Sequence, residues 1–263
     1  MSAAASSRID IVSHNQYNSP GVHRQDLLSD GLSQLKVNLQ WFDHALANGV
    51  HEPEAVNIST VDAHGLPNSR IVLSKSINEL GVSFYTNYNS AKGQELSDTP
   101  FAALTYHWRY PNTAEGETQR QVRLRGRVVK APSVESDEYF RTRSTESKLG
   151  AHASKQSTTL APLSDGDDGR LTLQHRLDDM RNTFAGTPNI PTPDFWGGYI
   201  LVPFQIEFWS GRLSRLHDRF LYSRSLETLQ SLLPNDATTP IESTEALAKE
   251  CGGVGWTIDR LSP

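Results

Sequence analysis

The sequence predicts a mainly β fold, a barrel of antiparallel strands with flanking helices. Three observations point to it. Apolar and polar residues alternate in about seven short stretches, hairpin-like links rich in Gly, Asn and Asp join them, and helical periodicity is confined to a few segments before and between them. Strands so closely spaced must bury one face and hide their edges, and closure into a barrel does both. A Rossmann fold is disfavoured because no G-x-G-x-x-G opens a helix after a strand.

The elements follow in order. Residues 1 to 29 are polar and aperiodic and are expected to form a mobile arm, with residues 30–263 as a single domain. Leu32, Leu35, Leu39, Phe42 and Leu46 recur at three- and four-residue steps, with Asp30 as N-cap and Gly49 as the stop, which predicts an amphipathic helix. The period then drops to two at Val56, Ile58 and Thr60, and Asp62 to Gly65 turns the chain into a strand over Asn68 to Lys75. Further strands are expected at Val82 to Asn87, Phe101 to Trp108 and Gln121 to Lys130, with a short helix at Lys92 to Leu96. The polar piece Pro111 to Gln119 reads as an inserted hairpin loop. Ser133 is expected to cap a helix ending near Arg143, and Pro162 to Gly169 reads as a disordered insertion. Leu173, Leu177, Met180 and Phe184 form the stripe of another helix stopped at Gly186. Trp196 to Trp209, Arg215 to Arg224 and Gly255 to Leu261 complete the strands.

Composition bounds the function. The 263 residues carry 25 Lys+Arg against 30 Asp+Glu, a formal charge of -5, the wrong sign for a dedicated nucleic-acid binder. Cys251 is the single cysteine, so no intrachain disulfide forms and a reducing compartment is expected. With no signal-peptide pattern at the N-terminus and no apolar run of the roughly 20 residues that span a bilayer, a cytoplasmic location is expected.

Several positions could carry chemistry. Arg120, Arg123, Arg125 and Arg127 share one strand, and alternation places the last three on one face, either a plain solvated face or an anion-binding one. Gln121 is read as pointing inward beside Val122, Leu124 and Val128, where a buried amide needs partners. Tyr139, Arg143 and Ser147 are spaced by four, but eight helical residues rise about 12 Å, too far to meet one anion. A helix ending near Arg143, with Ser147 folded back, removes the difficulty. Arg215, His217 and Arg219 alternate along one strand, giving either a donor set for phosphate or carboxylate or an exposed strand face. Glu207 to Gly211 adds aromatic planes that could stack on a flat ring or be plain core. No G-x-S-x-G elbow, P-loop or H-E-x-x-H spacing appears, and no metal site is expected.

From about Gln16 to Pro263 the chain resembles the pyridoxamine (pyridoxine) 5'-phosphate oxidase family. The resemblance rests on Arg70-Ile-Val-Leu-Ser-Lys75, Phe84-Tyr-Thr-Asn87, Lys92-Gly93, Arg120-Gln-Val-Arg123, Tyr139-Phe-Arg-Thr-Arg143, Ser147-Lys-Leu-Gly-Ala151, Ser154-Lys-Gln-Ser157, Phe195-Trp-Gly-Gly198, Glu207-Phe-Trp209, Arg215-Leu-His-Asp-Arg219 and Asp259-Arg-Leu-Ser-Pro263, in that order. It implies an FMN-binding split β-barrel and a homodimer with an FMN site at each of two positions on the subunit interface. By position, it implies FMN contacts from Arg70, Ile71, Val72, Leu73, Lys75, Tyr85, Thr86, Lys92, Gln121, Gln156, Ser157, Trp209 and Arg219. The substrate phosphate is expected at Lys75, Tyr139, Arg143 and Ser147, and Arg215 and His217 are expected beside the reacting carbon, with Tyr17 of the arm also touching substrate.

The implied reaction oxidises pyridoxamine or pyridoxine 5'-phosphate to pyridoxal 5'-phosphate, with O2 as acceptor and hydrogen peroxide as co-product. The alternatives are a related flavin oxidase of another aromatic metabolite and a catalytically silent flavin or pyridoxal-phosphate carrier. Departures from the family pattern carry their own expectations. Ala91 replaces a basic residue, implying weaker flavin binding; Ser144 replaces a proline, implying a looser loop before Ser147; Ser74 replaces an apolar residue and His14 an arginine.

Overall fold

A computed structural model describes residues 17, 19, 21–28, 34–112, 116–234, 238–253 and 255–263. Asp30, Leu32 and His14 lie outside these residues. The chain runs through α1 (Arg24–Leu28), α2 (Gln34–Ala47), β1 (Ala55–Val61), β2 (Pro67–Ile77), β3 (Val82–Asn87), α3 (Ala91–Asp98), β4 (Phe101–Asn112) and β5 (Gly116–Lys130). It continues through α4 (Ser133–Thr142), α5 (Thr145–Ala153), α6 (Arg170–Thr183), β6 (Trp196–Ser210), β7 (Asp218–Ser223), α7 (Leu226–Leu232), α8 (Thr244–Cys251) and β8 (Thr257–Arg260).

The strands pair antiparallel in the order β3-β2-β1-β4-β5-β6-β7-β8, and β3 also pairs with β6. That extra pairing closes β1 to β6 into a six-stranded barrel and leaves β7 and β8 as an extension. β6 makes both arrangements possible because of its length. Its first half, from Trp196, pairs with β3, and its second half, from Gln205, pairs with β7. Alternation fills the interior as the period-two pattern requires: Val56, Ile58, Phe84, Leu104, Leu124 and Ile206 are all fully buried. Trp41 of α2 packs edge-on against Phe208, with ring centroids 5.2 Å apart, so this helix covers part of the core cluster.

Several expectations need correction. Among the described residues eight strands form, against the expected seven or so. The expected loop from Pro111 to Gln119 is mostly strand, since β4 and β5 stay paired to Asn112↔Gly116. The segment Pro162 to Gly169 is a set of defined turns. The Asp167 carboxylate accepts from the backbone N–H of Leu163, Gly169 and Leu171 at 2.8–3.2 Å, an arrangement that composition alone does not reveal. Pro132, not Ser133, is the N-cap of α4.

In α2 the buried positions are Leu35, Val37, Asn38, Trp41 and Ala45, and Leu46 is 57% exposed. The buried side is centred on Trp41, which packs on Phe208, rather than on the run of leucines. A register shift between Arg125 and Gly126 breaks the alternation of the arginines. A Cβ on Gly126 would lie 2.4 Å from the Val202 carbonyl oxygen, so only glycine fits there. Arg127 is therefore buried while Arg123 and Arg125 are exposed. The described residues of the arm pack on the barrel: Ser19, Val22 and Leu27 are buried, and the Tyr222 hydroxyl donates to the Leu27 carbonyl at 2.8 Å.

Candidate active site in two halves

The candidate residues fall into two groups. The first surrounds a cavity of about 810 Å³, within the range of small-molecule sites. Arg70, Ile71, Val72, Leu73, Lys75, Tyr85, Thr86, Lys92, Tyr139, Arg143, Ser147, Gln156 and Ser157 all line it. β2 contributes the first five. Lys75 is the extra residue of a bulge, since Ser74 pairs with Phe84 and Ser76 with Ser83, and a bulge re-aims its side chain.

Lys92 enters from the first turn of α3. A Cβ on Gly93 would lie 2.0 Å from the Tyr88 carbonyl oxygen, so glycine permits the helix to start against that strand end. Ser90 caps the helix by accepting from Gly93 N–H. The Lys92 ammonium is buried and donates to Thr86 Oγ1 at 3.1 Å, Ser90 Oγ at 3.2 Å and Gln156 Oε1 at 2.8 Å. All three are neutral acceptors. Burial, reinforced by the Arg70 charge, pulls its pKa down to about 8. A cation desolvated to this degree fits an anionic ligand that would restore its charged form.

Arg70 is held by a carboxylate: its Nη2 donates to Glu95 Oε2 at 2.9 Å, while Thr60 and Asn68 donate to the same side chain. These hydrogen bonds and the Arg70 charge hold the Glu95 pKa below its ordinary value although burial opposes them. Glu95, buried behind the cavity, had no role in the sequence reading. A carboxylate three residues after Lys92 in a helix that must pack on a barrel was the available signal.

The other end of the residue set is aromatic. Tyr139 stacks on Tyr85 with centroids 4.2 Å apart, Tyr85 stacks on Trp196 at 5.5 Å, and the Arg143 guanidinium lies 4.9 Å over the Trp196 ring. Burial pushes the Tyr85 phenol up to about 12, with a smaller contribution from Glu135. Arg143 terminates α4 in extended conformation, and α5 begins two residues later. The chain folds back there, and Tyr139, Arg143 and Ser147 line one cavity without sharing one helix.

The second group comprises Tyr17, Trp209, Arg215 and His217, which line a separate depression. Trp209 stands there in one row across three strands, Gln121↔Trp209↔Arg219, and Gln121 and Arg219 lie beside the depression rather than in its lining. Gln121 thus shares the face of Arg123 and is half-exposed, not inward among the valines; strand parity decides its direction. The imidazole of His217 lies 4.7 Å from the Trp209 ring and 5.6 Å from Tyr17. His217 Nδ1 accepts from Arg212 N–H at 3.1 Å, which places the proton of the neutral ring on Nε2. Burial and the charges of Arg215 and Arg219 lower its pKa.

Arg215 is not on a strand. It closes a 3-10 turn, Leu213–Arg215, in which Ser214 and Arg215 have φ of 56° and 61°. Two consecutive non-glycine residues in the left-handed region cost about 1–3 kcal/mol each, so the strand predicted from Arg215 starts only at Asp218. Arg219 does not join Arg70 and Lys92 within a protomer. Its Nε donates to Glu207 Oε1 at 2.8 Å, and Glu207 also accepts from Arg123.

Among the described residues none lines both depressions. β6 shows why: Trp196 belongs to the first group and Trp209 to the second, thirteen residues along one strand and a contour of roughly 40 Å.

Comparison with known proteins agrees with this architecture. The pyridoxamine 5'-phosphate oxidase family matches residues 42–179, and the pyridoxine 5'-phosphate oxidase C-terminal dimerisation region matches residues 196–263. The pyridoxine/pyridoxamine 5'-phosphate oxidase of Nostoc punctiforme is 44% identical over 247 residues, covering 91% of this chain and 96% of its own. That of Cupriavidus taiwanensis is 42% identical over 238 residues, covering 90% and 91%. Among solved structures, PhzG of Burkholderia lata with tetrahydrophenazine-1-carboxylic acid superposes with a TM-score of 0.70 at 24% identity, covering 94% of this chain and 100% of its own. A pyridoxamine 5'-phosphate oxidase-related, FMN-binding protein of Nostoc punctiforme gives 0.56 at 16% identity, covering 88% and 98%; at such identities the likeness concerns the fold. With a closed six-stranded barrel, both family regions in sequence and relatives more than 40% identical over nine-tenths of its length, the chain belongs to the pyridoxamine 5'-phosphate oxidase family.

Proposed function

We propose that the chain is an FMN-dependent oxidase that converts pyridoxamine 5'-phosphate and pyridoxine 5'-phosphate to pyridoxal 5'-phosphate, and that it works as a homodimer. The observation that carries this reading is the presence of two differently held cation groups on one cavity. Lys92 and Arg70 are embedded in a polar network, whereas Arg143 lies over aromatic rings with Tyr139, Ser147 and Lys75 around it. A flavin mononucleotide and a phosphorylated pyridine each bring one phosphate, and the cavity has a cation group for each. A substrate without an anionic group gives Arg143 and Ser147 nothing to bind, which favours this reading over a flavin oxidase of an uncharged aromatic.

FMN, when bound, supplies the hydride acceptor and the path by which electrons leave to O2 as hydrogen peroxide. Lys92, Arg70 and Ser157 would hold its phosphate, with Thr86, Gln156 and the β2 backbone along its length. Arg143, Tyr139, Ser147 and Lys75 would fix the substrate phosphate and thereby the reacting carbon. The partner's copy of the second group would complete the site: Gln121, Trp209 and Arg219 against the flavin, and Arg215, His217 and Tyr17 against the substrate. The dimerisation region in residues 196–263 supports this, as do the exposed apolar side chains beside each half. Ile71 is 63% exposed in the first half and Leu216 69% in the second.

Arg215 is a cation and acts by orientation and electrostatic stabilisation rather than as a base. His217 offers Nε2–H as a donor to a ring substituent while Nδ1 stays engaged by backbone. Anaerobic addition of pyridoxamine 5'-phosphate to the flavin-loaded protein tests the proposal. Bleaching of the flavin band is the expected result, and an unchanged spectrum rejects it.

A further inference from the structure

We infer that Ser144 is a positioning residue for the substrate phosphate, setting the Ser147 hydroxyl as a donor into the cavity; this rests on the function proposed above. Ser144 caps α5, and its Oγ accepts from Ser147 N–H at 3.3 Å. The same hydroxyl donates to Ser147 Oγ at 2.8 Å. A serine hydroxyl has one hydrogen and two acceptor positions. Since Ser144 spends its hydrogen on Ser147, one lone pair of Ser147 is occupied and its own hydrogen is directed away from Ser144. Ser147 lines the cavity together with Arg143, so that hydrogen has the anion site before it. A hydroxyl that accepts is polarised into a stronger donor, and a phosphate oxygen takes only donors. The expected looseness at this position is thus replaced by a fixed pair of hydrogen bonds.

The backbone makes the test clean. Ser144 has φ of -60°, already the value proline imposes, and Arg143 before it has ψ of 150°, the extended conformation that precedes proline. Ser144→Pro therefore removes the hydroxyl and stiffens the loop, Ser144→Ala removes the hydroxyl alone, and Ser144→Thr keeps it. Each is prepared flavin-loaded. Pyridoxal 5'-phosphate binding is measured by equilibrium dialysis, and KM and kcat are measured with pyridoxine 5'-phosphate.

Both the alanine and the proline variant are expected to raise Kd and KM about fivefold, the scale of one lost hydrogen bond, with kcat within about twofold and flavin content unchanged. Threonine restores both constants. In a Ser147→Ala background, Ser144→Ala adds nothing further. Ser144→Pro binding as tightly as the parent protein overturns the inference, because stiffness rather than the hydroxyl then matters; so does a full additional loss in the Ser147→Ala background. Parental binding by Ser147→Ala itself rejects the phosphate assignment, and with it the function reading on which the inference depends.

Discussion

The two halves of the candidate site are built in opposite ways. The first half is prearranged by burial: Lys92, Glu95 and Thr86 are all buried, and each of the three is hydrogen-bonded to a polar neighbour. The second half is shaped by backbone. Arg215 stands in a left-handed turn flanked by Leu213 and Leu216, both exposed, and His217 takes its orientation from a main-chain N–H. A network of buried polar contacts suits tight retention of a cofactor, because its members do not reorganise. A strained turn on an exposed rim suits groups that act on the reacting atoms after the cofactor is in place.

The sharpest way to break this division is to remove one residue from each half. Arg215→Ala should lower kcat by about two orders of magnitude or more while flavin stays bound, because the lost interaction is one made with the reacting centre. Lys92→Met should do the reverse, emptying the flavin site at concentrations where the parent protein is loaded. Flavin content by absorbance and turnover by peroxide release separate the two outcomes. Near-normal turnover in Arg215→Ala refutes its role.

The same two variants test whether the halves of different chains combine. Mixed by unfolding and refolding together, they should recover about one quarter of parental activity, since half the dimers are heterodimers and each carries one intact site. Either variant alone stays near zero. If each chain built its site by itself, mixing would restore nothing.

How much of this was legible in the sequence follows the same division. The period-two pattern located β1 nearly to the residue because burial of one face dictates it, and the turn before Val82 located β3, which is buried on both faces. The first-half residues were found by motif and all line one cavity. Three features were not legible. The bulge between Arg125 and Gly126 buries Arg127, and nothing in local composition announces a register shift. The turn at Ser214 and Arg215 defeats alternation because both residues prefer ordinary backbone, and tertiary packing overrides that preference. The ion pairs of Glu95 and Glu207 are set by arginines that arrive from other elements, Arg70 on β2 and Arg219 on β7. A pattern one residue wide reports which face a side chain takes, not which partner arrives from another strand.

The electrostatics of the first half sharpen the comparison at the next scale. Burial, with the Arg70 charge, holds the Lys92 pKa at about 8 although Glu95 opposes them. An anion binds its protonated form and raises that pKa, so affinity is constant below about pH 8 and falls as pH rises past it, by up to about tenfold for one pH unit. The Kd for FMN, measured by fluorescence quenching at pH 7 and pH 9, should therefore rise about tenfold, whereas Lys92→Arg, charged throughout, should show a flat profile. A flat profile in the parent protein removes Lys92 from the anion site.

The smallest effect belongs to the second half and runs with the opposite sign. His217 holds Nδ1 as an acceptor for Arg212 N–H, so protonation breaks that bond and adds a third positive charge beside Arg215 and Arg219. Its pKa is lowered by burial first and then by the two arginines, so the neutral form is the working one at neutral pH. Because the folded pKa lies below the unfolded value, the fold loses stability as pH drops through the range between them, and kcat/KM should decline by a few-fold as pH falls through the folded pKa. His217→Asn keeps a donor and an acceptor but has no titrating group in that range. Its acid limb should therefore flatten while Arg215→Ala retains one. An acid limb of equal slope and midpoint in His217→Asn would assign the titration to another group and leave His217 as packing for Trp209 and Tyr17 alone.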